Sequence, residues 1–195
     1  PNPVTPSLGS GTAVSMDDVE TAGAAPGIYA LWLKGQAGSP YLTTKFEPLA
    51  LKIGAVDRDF SIASNVTRQT VGTGASATFQ VAIRDAQTSS FGGPVALTLE
   101  SLNAPLPAGV TATFSPATVT PLPRSSKLYS TTLTVGTTGL PNGTHRFVVR
   151  ATGTNGDAVP RPVTRLHILG GTVSDGSSST ASEYVDIVGF AVMRI

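Results

Sequence analysis

The chain has 195 residues, enough to bury a real core, with 13% charged and 6% aromatic residues, 21 Gly, 15 Pro and no Cys. A net charge of +1 with scattered Lys and Arg supplies no field for nucleic acid or an anionic membrane, and the lack of Cys excludes disulfides and zinc–thiolate sites. Abundant Thr, Ser, Val, Gly and Pro suit short strands broken by turns, so the expected class is all-β. No stretch approaches the roughly 18 apolar residues of a membrane-spanning helix, and the opening PNPVTPSLGSG lacks the features of a signal peptide. An exported protein would carry its signal upstream of residue 1.

In chain order, residues 1–57 offer three strand signals, around GTAVSM, IYALWLKG and YLTTKFEPLALKIG. Three strands cannot cover both faces of a sheet. Trp32, Leu31, Leu33, Phe46 and Leu51 would stand in water at a cost of roughly 25 cal/mol per Å². This segment is expected to be the closing strands of an incomplete or split β-sandwich.

Residues 58–170 alternate with period two in strand after strand. The inward sets are Ala77, Phe79, Val81 and Ile83; Val95, Leu97 and Leu99; Val110, Ala112 and Phe114; and Thr131, Leu133 and Val135. Turn residues separate them at Gly72–Gly74, Gly92–Pro94, Pro105–Gly109 and Pro141–Gly143. About seven strands with such spacing fit one complete immunoglobulin-like sandwich. Residues 171–183, GTVSDGSSSTASE, have the composition of a flexible linker. Residues 184–195, YVDIVGFAVMRI, read as a terminal strand that pairs with another sheet through Val185, Ile187, Ala191, Met193 and Ile195.

Sliding the chain on itself exposes a repeat at an offset of 116 residues. GIYALWLKGQAG from Gly27 matches GTHRFVVRATGTNG from Gly143, aligning Leu31 with Phe147, Leu33 with Val149 and Lys34 with Arg150. A proline stands just before each copy, Pro26 and Pro141, and an alternating strand follows each. The run DFSIAS…GASATFQVAI…LPAGVTATFSPATVT…GTHRFVVRATGTNG resembles the bacterial immunoglobulin-like repeats of secreted and cell-surface proteins. The resemblance implies an antiparallel sandwich with a structural or adhesive, non-catalytic role at the cell surface or outside the cell. A rival reading is an accessory substrate- or cell-wall-binding domain of a secreted hydrolase. Where such repeats carry Tyr, Tyr29 fits the first copy and His145 replaces it in the second, which puts a tyrosine corner there in doubt. The run YVDIVGFAVMRI is similar to the closing strand of proteins encoded with tight-adherence pili, which leans toward a surface appendage and a split domain.

Candidates for chemistry are few. His145 and His167 fall within strands, no G-x-S-x-G elbow is present, and both histidines read as strand residues, His145 hydrogen-bonding where Tyr would. Asp17, Asp18 and Glu20, and Asp57 with Asp59 at the junction between repeats, are the candidate calcium ligands, although their spacing is not that of an EF-hand and Arg58 offsets the second pair. Trp32 is assigned to a core or interface, whereas Tyr41, Phe91 and Tyr129 lie near strand ends where exposure is expected. The expected partners are proteins, including other copies of the chain joined by strand pairing. Three explanations stand for the unfinished ends: a piece of a longer multidomain protein, a terminal strand folding back into the N-terminal sheet, or a strand exchanged with another copy.

Overall fold

The computed structural model describes residues 19–36, 44–54, 58–85, 91–102, 105–156 and 159–176. Among them are strands β1 (Gly27–Gln36), β2 (Thr44–Ile53), β3 (Phe60–Ser64), β4 (Arg68–Gly72), β5 (Ser76–Asp85), β6 (Val95–Ser101), β7 (Thr111–Ser115), β8 (Thr118–Val119), β9 (Tyr129–Gly136), β10 (Gly143–Thr154) and β11 (Pro162–Ser174), and no helix. The sequence expectation of an all-β fold holds.

One sheet has the order β3-β5-β9-β7, antiparallel throughout; the other runs β11-β10-β6-β8 with β4 on the outer side of β11. The first edge of the chain thus changes sheets. Strand β3 pairs antiparallel with β5, the chain crosses at residues 65–67, and β4 pairs parallel with β11 from Arg68↔Gly170 to Gly72↔Ser174. Two sheets, one antiparallel and one mixed, with the first edge of the chain divided between them as β3 and β4, make an immunoglobulin-like sandwich.

Period-two patterning predicts the core well in the central strands. Ala77, Phe79, Val81, Ile83, Val95, Leu97, Leu99, Thr131, Leu133 and Val135 are all buried between the sheets. The pattern weakens at β7, where Ala112 is exposed and Val110 and Phe114 are half-buried, because β7 is an edge strand with a neighbour on one side only. Phe91 corrects its expectation: it is fully buried, its ring 5.0 Å from that of Phe60 and tilted against it. Thr131, β-branched and apolar in shape, donates its hydroxyl to the Pro116 carbonyl, so burying it leaves no polar atom without a partner.

The last strand runs further than composition suggests. Residues 171–174 continue β11 instead of opening a linker. Gly171 explains both the misleading composition and the strand, since a Cβ there would lie 2.7 Å from the Gln69 carbonyl oxygen of β4. Only glycine lets the two backbones approach at that point.

Strands β1 and β2 form a hairpin paired from Gly27↔Ile53 to Gln36↔Thr44. The base of β1 docks on the sandwich, where Ile28 forms a parallel bridge to Val163 of β11 and is buried. Gly27 meets Pro162 so closely that an added Cβ would come within 2.9 Å of its ring. The hairpin therefore extends the sheet to β2-β1-β11-β10-β6-β8. The strand expected around GTAVSM, linker residues 177–183 and residues 184–195 lie outside the described residues.

Candidate functional site: the seam and the hairpin

The strand that changes sheets leaves a gap where β3 stands over the edge of β11, and polar side chains fill it. The inward face of β11 alternates Val163, Arg165, His167 and Leu169. Its apolar members are buried, while the two basic ones meet partners at the two ends of β3. Arg165 donates Nε to Asp59 Oδ1 at 3.1 Å and Nη2 to Asp59 Oδ2, a two-point ion pair, and Asp59 Oδ1 also accepts the Phe60 amide at 2.7 Å. At the other end His167 Nε2 lies 2.9 Å from Ser64 Oγ.

Proton bookkeeping fixes the direction of that second contact. The Ser64 hydroxyl donates to the Val66 carbonyl at 2.7 Å, so its single proton is committed and the His167 ring is the donor. Burial pushes the His167 imidazole below its usual range, which keeps the ring neutral near pH 7 with its proton on Nε2. In a nucleophile–base pair the hydroxyl donates to the ring; here the polarity is reversed. This pair pins the crossover of the first edge, as does Asn65, whose side-chain oxygen accepts the Gln80 amide at 2.9 Å.

Two further buried polar groups escaped sequence reasoning. Asp85 is 0% exposed and accepts the amides of Phe91, at 3.2 Å, and of Arg124, tying together two loops at one end of the sandwich. Arg124 adopts a left-handed backbone, φ 57°, an uncommon conformation for a residue with a Cβ. Asn155 is buried at the same end, in the loop between β10 and β11, where its Oδ1 accepts the Arg161 amide at 2.8 Å. The only sequence signal for either is a polar residue terminating a strong apolar alternation.

The corner residues supply the most informative geometry. Tyr29 Oη donates to the Ala25 carbonyl at 2.9 Å, and His145 Nε2 donates to the Pro141 carbonyl at 2.8 Å. Both bonds span four residues, and the two residues are related by the repeat offset (145 − 29 = 116). A ring N–H thus substitutes for the phenol of a tyrosine corner.

On the hairpin, residues paired across the strands share a face. Tyr29, Leu31 and Leu33 lie with Leu51, Leu49 and Glu47; Leu33 is 46% and Leu49 50% exposed. The opposite face carries Trp32, edge-on to Phe46 at 6.4 Å, with the Lys34 ammonium 5.9 Å from the Phe46 ring centre.

Of the calcium candidates, Asp17, Asp18 and Asp57 lie outside the described residues, Glu20 is exposed ahead of β1, and Asp59 is held by Arg165. Among the described residues no three His, Asp or Glu side chains converge as a metal site requires. The proposed pairing residues Val185, Ile187, Ala191, Met193 and Ile195 also lie outside them. A cleft lined by Val71, Phe79, Leu140, His145 and Phe147 encloses about 20 Å³ of free space, room for one water and far below a ligand pocket. No described helix is long and apolar enough to cross a membrane.

No family model matches the sequence, and no curated protein matches it significantly. Among solved structures, domains 4 and 5 of the S-layer protein SbsC are similar, with 21% identity and a TM-score of 0.37 over 76% of this chain and 58% of that one. The periplasmic chaperone SfaE gives 13% identity and a TM-score of 0.39 over 60% of this chain and 58% of the other. CfaE, the adhesive subunit of the CFA/I fimbria of enterotoxigenic Escherichia coli, gives 11% and 0.32 over 76% and 58%. The chain spans 58% of each of these three structures, so the likeness is one of parts.

Proposed function

We propose that the chain is a non-catalytic structural or adhesive module of a bacterial cell-surface or extracellular assembly, built of immunoglobulin-like sandwiches in series. Residues 58–170, with β11 running on to Ser174, form the complete unit, and residues 1–57 contribute the closing hairpin of a second. The observation that carries this reading is the doubled corner: Tyr29 to Ala25 and His145 to Pro141, each opening a strand that pairs with the next one in the chain. A corner bond repeated at the sequence offset supports reading the two hairpins as copies of one structural unit, and serial units hold separated points at a fixed distance.

The disposition of the polar groups supports the same reading. Asp59, Asp85, Asn155, His145 and His167 are each engaged in bonds that hold strands or loops. Antibody raised against residues 58–170 is expected to label intact cells that make the protein, with the label lost after brief surface proteolysis. Labelling that requires permeabilised cells overturns the surface assignment.

A further inference from the structure

Among the described residues, the edge of β1 facing away from β2 meets β11 only at Ile28 and has no strand beside it from Tyr29 to Gln36. The equivalent edge of β10 is filled: β6 pairs with it antiparallel from Phe147↔Ser101 to Gly153↔Val95. Subtracting the repeat offset (147 − 116 = 31, 153 − 116 = 37) places the counterpart of β6 beside residues 31–37.

We propose that residues 184–195 of the same chain supply this strand, running antiparallel along the free edge of β1. The first support is direction. Strand β1 is parallel to β11 where they touch, so a chain that turns back after β11 runs antiparallel to both. The second is reach. Val163 to Ser174 is eleven steps of about 3.3 Å, roughly 36 Å, and the 21 residues after Ser174 extend to about 70 Å, enough to return past Val163. Twelve residues also suffice to cover the ten of β1.

The third support is the choice of edge. The outer edge belongs to β2, which carries Pro48 with Lys45, Glu47 and Lys52, the residues that discourage further pairing. Strand β1 has no proline and a single charge, Lys34. The alternation of the segment completes the match: Val185, Ile187, Ala191, Met193 and Ile195 would stand beside Leu31 and Leu33, and Val188 and Phe190 beside Trp32. The hairpin then becomes part of a split domain, with the complete sandwich inserted between its strands.

Amide hydrogen exchange on residues 1–195 and on a chain truncated after Glu183 tests this. Truncation is expected to speed exchange in Tyr29–Gln36 at least tenfold, to leave β5, β9 and β10 protected, and to be reversed by a synthetic peptide of residues 184–195. The full chain is expected to scatter light as a monomer. Ile187→Asp in the full chain is expected to reproduce the truncation and guards against a truncated product that misfolds. Unchanged exchange in β1 on truncation and in the variant overturns the proposal. So does protection of β1 that disappears on dilution together with a dimer or larger species, since the strand then comes from a second copy. The measurement is independent of cellular location, so its failure leaves the surface-module reading standing.

Discussion

Tyr29 and His145 occupy the same place in two hairpins and make the same bond, side chain to the carbonyl four residues back, at 2.9 and 2.8 Å. A phenol and an imidazole are interchangeable here because the corner requires only one donor at the end of a flat ring. His145→Tyr is therefore expected to leave the denaturant midpoint of the sandwich unchanged or raised. His145→Phe keeps the ring and removes the donor, at a cost of about 0.5–1.5 kcal/mol. Equal losses in both variants would mean that packing, and not the bond, sets the corner.

Asp85→Ala strips the acceptor from two amides at a fully buried site, and the expected loss is about 2–5 kcal/mol by chemical denaturation. Asp85→Asn retains one carbonyl oxygen and is expected to lose less than the alanine variant. A loss under 0.5 kcal/mol for Asp85→Ala would show that water replaces the carboxylate at the two loops.

The Asp59–Arg165 pair joins β3 to β11 beside the point where the hairpin docks. Each partner is about a quarter exposed, so solvent already screens part of the attraction. Asp59→Asn and Arg165→Met are each expected to cost about 1–2 kcal/mol, and the double variant less than their sum. Strict additivity in a double-mutant cycle counts against a direct pair.

His167 makes stability depend on pH in a defined direction. Its folded value lies below the ordinary one, so near and below pH 6.5 the unfolded chain binds the proton more readily than the folded chain. The contribution is complete above the unfolded value and is lost as pH falls through 6.5 toward the lower folded value, beneath which it levels off. His167→Gln is expected to flatten the urea midpoint between pH 7.5 and 5 relative to the parent. A parallel decline in both proteins assigns the pH dependence elsewhere.

Much of the sandwich was legible because its central strands bury one face each, and alternation such as Phe79, Val81, Ile83 records that directly. The hairpins were legible through a repeat, which needs no knowledge of partners. What escaped was set by tertiary contacts. Phe91 follows a turn-like stretch yet fills the core beside Phe60, and Gly170–Gly171 look like coil yet admit β4. Asp85 and Asn155 were invisible as buried groups because nothing local distinguishes a carboxylate that ties loops from one that is solvated. The pairing of Asp59 with Arg165, residues 106 apart, exists only once β3 crosses over β11.

The parallel contact between β4 and β11 sets how the domain would respond to an applied pull. Tension entering ahead of β3 and leaving beyond Ser174 pulls these two neighbours past each other along their length, so the five residue pairs from Arg68↔Gly170 to Gly72↔Ser174 resist together. Peeling would break such bonds one at a time; sliding demands that they fail at once. The short stretch between Arg68 and Gly72 is accordingly the clasp of the unit under stretch, and a proline placed there would open it at lower force.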